Sequence, residues 1–209
     1  MNNSSSKMII RITVIFGLAI AIISLYLLIT MQAEVRPIAG QGSPITDDVK
    51  IGGEFNLTDQ DGKPFSSKNL NGKLSLIYFG FTYCPDICPT SLQKLTQVLN
   101  TFDKYNIDVN AVFITVDPDR DTANVLKEYV SHFHQKFIAL TGSNDQIRQV
   151  ADQFKVYYAK ATNSVSDHYM LDHSSFVYLL DKNGKYLKHF YLNSTADEII
   201  EFIRVNDKN

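Results

Sequence analysis

The stretch KLSLIYFGF, residues 73–81, constrains the fold more than any other feature of this sequence. Its side chains are apolar almost without interruption, which is typical of a strand buried on both faces of a sheet. Such a strand needs other elements packed above and below it. The stretch therefore predicts an α/β domain with this strand at the centre of its sheet.

The segments around the central strand supply the other elements. A hairpin is predicted over 53–66, where an alternating pattern breaks at Asp61-Gly62. The remaining strands are predicted at 110–116, 136–140, 173–181 and 185–192, and the helices, from their apolar periodicity, at 90–105, 122–133, 144–154 and 195–205. This order predicts a thioredoxin-like fold, a central mixed sheet flanked by helices.

An apolar run precedes the domain. Residues 12–31 contain no charged side chain, and a helix of that length spans about 30 Å, the thickness of a bilayer core. Lys7 and Arg11 precede the run, which predicts a cytoplasmic segment at 1–11 and a domain on the far side of the membrane. A cleaved signal peptide is the alternative, but this run is longer than the usual apolar core of one. We expect an uncleaved transmembrane anchor.

A tether and one domain follow the predicted anchor. Residues 32–50 are rich in Gly, Pro, Ser and charge without apolar periodicity, and they are predicted to be a linker. Residues 51–209 are predicted to form the folded domain, which is a normal size for a single core. The formal net charge is −2, so a nucleic acid is not an expected partner.

The chain contains two cysteines, Cys84 and Cys88, which stand four positions apart immediately after the predicted central strand. This is the end of the sheet where open α/β folds place their functional groups. We expect Cys84 in the turn and Cys88 at the start of the next helix, because a proline such as Pro89 is tolerated only in the first helical turn. A helix N-terminus favours thiolate, which attacks disulfides and binds metals.

Three interpretations of this pair are open at the sequence level. A structural disulfide would close a very short loop and so stabilise little. A redox pair is possible, but the usual spacing for this fold is C-x-x-C, and no proline precedes the predicted strand at 173–181, where thioredoxins carry one. A metal site needs further ligands, which in this chain are sought among the histidines.

Five histidines are candidates: His132, His134, His168, His173 and His189. The first two are expected to be solvated at a helix C-terminus, and His189 to lie at the surface. His168 lies in a polar loop and could be near the cysteines. His173 begins the predicted buried strand at the end that should face the cysteines, so it is the strongest candidate ligand. Two thiolates and one imidazole suit Cu(I) or Cu(II), and zinc is the competitor, although no fourth protein ligand is identified.

Three motifs resemble those of the Sco/SenC family of membrane-anchored copper proteins: FGFTYCPDICPTSL, FITVDPDRDT and YMLDHSSFVYLLDKNGKY. The resemblance covers the domain from Gly52 onward and implies a thioredoxin-like fold. It implies Cys84, Cys88 and His173 as copper ligands. Asp172 could support His173, although neighbouring strand residues point in opposite directions. Asp117 and Asp121 belong to the second motif, and an N-cap for the second helix is the simple interpretation of Asp121.

The resemblance also implies a function. The chain would be a copper metallochaperone, more a carrier than an enzyme, that helps to assemble the binuclear copper centre of cytochrome c oxidase subunit II. An upstream copper donor is implied as a second partner. The expected location is a bacterial inner membrane with the domain in the periplasm, and the mitochondrial inner membrane is the second choice. Two alternatives use the same cysteines: a thiol-disulfide reductase that keeps the target's cysteines reduced, and a thiol peroxidase or redox sensor.

Overall fold

The computed structural model of the 209-residue chain describes residues 15–27, 50–161 and 169–206. Residues 15–27 form a helix, α1, within the predicted anchor. Over the described ranges, no helix is both long enough and apolar enough to cross a membrane. The rest of the predicted anchor, the N-terminal segment, the linker except Lys50, and His168 lie outside the described residues. The chain divides into two compact units, and the boundary lies between Asp48 and Val49.

In the second unit, the described residues form two sheets, four α-helices and a short 3-10 helix at Ser67–Leu70. The strands are β1 (Asn56–Asp59), β2 (Pro64–Ser66), β3 (Leu74–Gly80), β4 (Val109–Thr115), β5 (Phe137–Thr141), β6 (Tyr158–Lys160), β7 (Leu171–His173), β8 (Val177–Leu180) and β9 (Tyr186–Phe190). The helices are α2 (Ile87–Lys104), α3 (Ala123–Ser131), α4 (Asn144–Phe154) and α5 (Ala196–Asn206). A seven-stranded sheet has the order β2-β1-β5-β4-β3-β8-β9, and β6 pairs only with β7.

Strand β3 lies inside the large sheet, as its apolar run predicts. It pairs in parallel with β4 and antiparallel with β8, and all seven of its residues are buried. Strands β4 and β5 are also parallel, whereas β1 and β9 run antiparallel to their neighbours, so the sheet is mixed. Burial of both faces of β3 requires cover on both sides of the sheet. The predicted α/β class and mixed central sheet are confirmed.

Helix α2 positions the second cysteine and packs by its apolar stripe. Its buried apolar residues recur at spacings of three and four, and they are Cys88, Leu92, Leu95, Val98, Leu99 and Phe102. The helix packs against α5, whose Ile199 and Ile203 are fully buried. This packing fixes the face of α2 that turns inward, and Cys88 lies on that face.

Helix α3 begins one residue later than a cap at Asp121 would require. The N-cap is Thr122, whose Oγ accepts a hydrogen bond from the backbone N–H of Val125 at 3.4 Å. The interpretation of Asp121 as the N-cap is therefore wrong. The Asp121 side chain is fully buried and engaged elsewhere, which leaves the adjacent threonine to cap the helix.

The predicted strand over 173–181 is in fact two strands in two different sheets. Strand β7 ends at His173 and β8 begins at Val177. Between them, the backbone N–H of Ser174 donates to the carbonyl of Tyr157 at 2.9 Å, and its Oγ accepts from the N–H of Tyr157 at 3.1 Å. These bonds tie Ser174 to the end of the β6–β7 hairpin, so the chain leaves the small sheet before it enters the large one.

Candidate metal centre

Both cysteines lie just beyond the carboxyl end of β3. Cys84 is in the connection between β3 and α2, and Cys88 is the second residue of α2. Pro89 occupies the first turn of the helix, where the missing N–H costs no hydrogen bond. The predicted placement of the two cysteines is confirmed. Both are free thiols; Cys88 is fully buried and Cys84 is half-buried.

The two sulfur atoms are close and electrostatically unequal. The backbone N–H of Cys88 donates to Cys84 Sγ at 3.4 Å. A hydrogen bond from the Cys88 thiol lowers the pKa of Cys84 far below the ordinary thiol value, against the opposing effect of burial. The same hydrogen bond, reinforced by burial, raises the pKa of Cys88. The hydrogen bond between the two sulfurs thus favours the thiolate form at Cys84 and the thiol form at Cys88.

His173 approaches the cysteines from the β6–β7 hairpin. Its Nε2 lies 3.4 Å from Cys88 Sγ, and its Nδ1 lies 3.1 Å from the carbonyl oxygen of Ser174. A carbonyl accepts only, so Nδ1 donates to it, and Nε2 is the ring nitrogen directed toward Cys88 Sγ. The ligand atoms of Cys84, Cys88 and His173 all lie within 4.8 Å of one another. In the described part of the chain, this is the group of side chains that could hold a metal ion.

Two residues of β3, Tyr78 and Gly80, lie next to Cys88, and no sequence pattern identified either of them. The hydroxyl of Tyr78 lies 3.8 Å from Cys88 Sγ and donates to it, and burial raises the pKa of Tyr78. A Cβ on Gly80 would lie 2.8 Å from Cys88 Sγ and 2.9 Å from a ring carbon of Phe113. Gly80 therefore gives Cys88 the room it occupies. A glycine near the end of an apolar strand, here Gly80, is the signal that could have indicated that another side chain packs closely against the backbone.

We expect Gly80→Ala to move Cys88 and to weaken the fold. The added methyl group overlaps a sulfur and a ring inside a packed core, so the free energy of unfolding should fall by about 1–3 kcal/mol. Denaturant unfolding of the full chain measures this. Gly53→Ala is the matched control, because the atoms nearest to its new Cβ, at 3.2–3.4 Å, belong to the end of the flexible Gln153 side chain. An unchanged midpoint for Gly80→Ala would contradict the close approach.

Asp121 anchors the segment that carries Cys84. Its two carboxylate oxygens accept hydrogen bonds from the backbone N–H of Thr82 at 3.0 Å, the hydroxyl of Thr82 at 2.5 Å, and the hydroxyl of Thr115 at 2.6 Å. Burial raises the pKa of Asp121, and these donors oppose that rise. The carboxylate thus fixes the first residues after β3 to the end of β4. This is a structural role for one of the two aspartates whose roles the sequence left open.

The other histidines of the described residues are not part of this ligand group. His132 is exposed at the end of α3, as predicted. The expectation that His134 is solvated is wrong, because it is 9% exposed and its Nε2 lies 3.0 Å from Asp103 Oδ2. His189 is half-buried, and its Nδ1 lies 2.6 Å from the hydroxyl oxygen of Tyr186. Asp172 is exposed, consistent with the alternation of side chains along β7.

The unequal thiols predict an unequal reactivity in the reduced, metal-free protein. Because the pKa of Cys84 is lowered, its thiolate persists as the pH falls, so alkylation by iodoacetamide should stay nearly constant between about pH 5 and pH 8. Cys88 should react slowly throughout, since it is buried and its pKa is raised. Peptide mapping by mass spectrometry distinguishes the two sites. A Cys84 rate that rises about tenfold per pH unit across this range would contradict the lowered pKa.

The arrangement fits a thiophilic metal. Two sulfurs and an imidazole nitrogen converge, and Nδ1 is engaged with a carbonyl, which leaves Nε2 as the nitrogen available for ligation. Ligation by both sulfurs would release the proton of Cys88. Cys84 is half-buried rather than enclosed, so an ion held here would be open to a partner's ligands. Alternatively, the same thiolate could attack a disulfide.

Comparisons with known proteins agree with this geometry. The family described as SCO1/SenC matches residues 43–205. The chain is 55% identical to an SCO2-like protein of Rickettsia felis over 199 residues, which cover 95% of this chain and 97% of that protein. It is similar to the crystal structure of Arabidopsis thaliana ScoI with copper bound, at 42% identity and a TM-score of 0.72; the match covers 76% of this chain and 98% of that one.

A second similar structure is that of BsSco, described as a member of the Sco family of cytochrome c oxidase assembly proteins in which a disulfide switch was identified. It is 28% identical to this chain, with a TM-score of 0.62, and the match covers 76% of this chain and 94% of BsSco. These likenesses to solved Sco structures confirm the predicted thioredoxin-like fold.

Proposed function

The chain belongs to the SCO1/SenC family, and we propose that it is a copper metallochaperone that binds one copper ion through Cys84, Cys88 and His173. The observation that carries this proposal is the convergence of the three ligand atoms within 4.8 Å. Thiolates select Cu(I), and the addition of an imidazole allows Cu(II) to be held as well. The relative from Arabidopsis thaliana, which was crystallised with copper bound, supports the choice of copper over zinc.

The receiver of the copper would be cytochrome c oxidase subunit II, at its binuclear copper centre. Membership in a family of oxidase assembly proteins supports the oxidase as the partner. A half-exposed thiolate at the site supports transfer by ligand exchange, in which ligands of the receiver replace those of the carrier one at a time. An upstream donor would load the protein by the same exchange in reverse.

The domain would work outside the cytoplasm, held by the apolar segment 12–31 at a bacterial inner membrane; a mitochondrial inner membrane is the second choice. The absence of charge from that segment and the two basic residues before it support this placement. A protease-protection assay tests this placement. The domain should resist added protease in intact cells and should be digested once the outer barrier is opened. Digestion only after the inner membrane is broken would oppose it.

The proposed function is tested by a transfer experiment. Two portions of the full-length chain, one loaded with Cu(I) and one with Cu(II), are mixed in equal amounts, one equivalent each, with the copper-free soluble domain of oxidase subunit II, with its cysteines reduced, under anaerobic conditions. Formation of the binuclear centre is followed by its absorption and by electron paramagnetic resonance. We expect formation faster than with an equal concentration of chelated copper. Retention of the copper by the carrier, or a rate no better than the chelate gives, would contradict the proposal.

A thiol-disulfide reductase is the second candidate, and the unequal thiols favour it. The Cys84 thiolate would attack a disulfide of the oxidase subunit and form a mixed disulfide, releasing one target thiolate. Cys88 would then lose its proton and attack Cys84 Sγ, which leaves a Cys84–Cys88 disulfide and a fully reduced target. Reduction of the target by His173→Ala at the wild-type rate would support this activity, since the imidazole takes no electrons. No reduction by the wild-type dithiol would exclude it.

A further inference from the structure

The segment of residues 117–121, between β4 and α3, contacts both parts of the candidate metal centre. On one side, Asp121 holds Thr82, two residues before Cys84. On the other side, Asp117 and Arg120 hold Tyr169, four residues before His173. The two cysteines and the histidine come from distant parts of the chain, so some contact must set the distance between them.

The contact with the histidine hairpin is made by Tyr169. Its hydroxyl donates to Asp117 Oδ1 at 2.5 Å, and its backbone carbonyl accepts from Arg120 Nη1 at 3.0 Å. Asp117 is 3% exposed and Tyr169 is 9% exposed, so the hydrogen bond between them is shielded from water. Bonds that are shielded in this way hold their geometry more firmly than exposed ones.

The guanidinium of Arg120 lies against aromatic rings from both sides of the site. Its Cζ is 3.7 Å from the centre of the Tyr169 ring and 4.7 Å from the centre of the Tyr83 ring. Tyr83 directly precedes Cys84. The Arg120 Nε donates to Asp117 Oδ2 at 2.5 Å, which fixes the plane of the guanidinium. A planar group held in this way sets the spacing between two rings, whereas a lysine ammonium cannot.

From these contacts we infer that Arg120, oriented by Asp117, is a positioning residue that holds the hairpin of His173 at ligand distance from the cysteine loop. The inference rests on the proposed copper function. It gives a physical role to the DPDRD sequence, which the two cysteines and the histidine do not explain. Asp121 fixes the segment before Cys84, and Asp117 and Arg120 fix the hairpin that carries His173.

The two oxidation states of copper provide a selective test of this role. Two thiolates suffice for Cu(I), which accepts low coordination numbers, whereas Cu(II) depends more on the imidazole. A change in the distance between His173 and the two cysteines should therefore weaken Cu(II) binding more than Cu(I) binding. For Arg120→Lys, which keeps the charge but loses the planar fork, we expect Cu(II) affinity to fall by about tenfold or more and Cu(I) affinity to fall by less than about threefold.

The experiment uses the full-length chain, with competing chelators for each oxidation state under anaerobic conditions. Arg204→Lys is the matched control, because Arg204 also lies over a tyrosine ring, that of Tyr105 at 5.4 Å, but is exposed on α5. Tyr169→Phe, which removes only the hydroxyl bound to Asp117, should reproduce the selective loss if Arg120→Lys does not fold. Hydrogen exchange of the metal-free protein gives a second measurement: amides of β7 should exchange faster in Arg120→Lys, with those of β3 unchanged.

The outcomes separate this inference from the proposed function. If the wild-type chain binds neither form of copper, the proposed function fails. If the wild-type chain binds copper and Arg120→Lys and Tyr169→Phe bind both forms as tightly as Arg204→Lys does, the positioning role is overturned. An equal loss of Cu(I) and Cu(II) affinity together with a lower melting temperature would also overturn it, because that result indicates a purely structural residue.

Discussion

Cys88→Ser should abolish tight Cu(I) binding by the full chain. A serine hydroxyl is a neutral, hard ligand, so the site would lose one of its two thiolates without replacement. We expect the affinity to fall by at least about a thousandfold, which corresponds to about 4 kcal/mol. Anaerobic titration against a Cu(I) chelator of known affinity measures it. Cys84→Ser should give a loss of similar size, since both sulfurs belong to the same site.

The fold should survive both serine substitutions, which keeps the test informative. Neither cysteine forms a disulfide in the structure, so no cross-link is lost. Cys88→Ser places a hydroxyl beside Tyr78, whose own hydroxyl can still donate to it. Cu(I) binding by either single variant within about threefold of the wild-type affinity would show that the two sulfurs do not share one ion.

His173→Ala should abolish tight Cu(II) binding while the protein keeps most of its affinity for Cu(I). The side chain supplies the nitrogen donor, and its Nε2 lies 3.4 Å from Cys88 Sγ. We expect the absorption band that arises from thiolate-to-Cu(II) charge transfer to disappear and the Cu(II) affinity to fall by about a hundredfold or more, about 3 kcal/mol. Optical titration of the reduced, metal-free chain with Cu(II) and a competing ligand measures both.

His132→Ala is the matched control for this substitution, because His132 is exposed at the end of α3 and, among the described residues, is not part of a ligand group. It should leave both copper affinities unchanged. If His173→Ala gives the same Cu(II) spectrum as the wild-type chain, the imidazole is not a ligand and Cu(II) must take its nitrogen or oxygen donor from elsewhere.

Much of the fold followed from local sequence patterns. The buried run at 73–81 and the apolar stripes of the helices depend on side chains near one another in the chain, and periodicity records these directly. Helix α4 begins and ends where its pattern predicts, at Asn144 and Phe154, since a capping box of Ser143 and Gln146 marks its start. The placement of Cys84 and Cys88 followed from the same local rules.

The rest of the candidate site depends on contacts between distant residues. Periodicity alone could not divide 173–181 into β7 and β8, because the division is made by the two hydrogen bonds between Ser174 and Tyr157. The burial of Asp121 beneath Thr82 and the need for glycine at position 80 are also tertiary effects. Such contacts are absent from any short window of sequence, which is why the role of Asp121 was predicted wrongly.

X-ray absorption at the copper edge tests the central claim most directly, because it counts the ligands of the bound ion. The full-length chain, loaded anaerobically with one equivalent of copper, should show two sulfur ligands and one imidazole nitrogen. His173→Ala should keep the two sulfurs and lose the imidazole. A wild-type spectrum with sulfur ligands alone, or an imidazole signal that persists in His173→Ala, would contradict a copper site built from Cys84, Cys88 and His173.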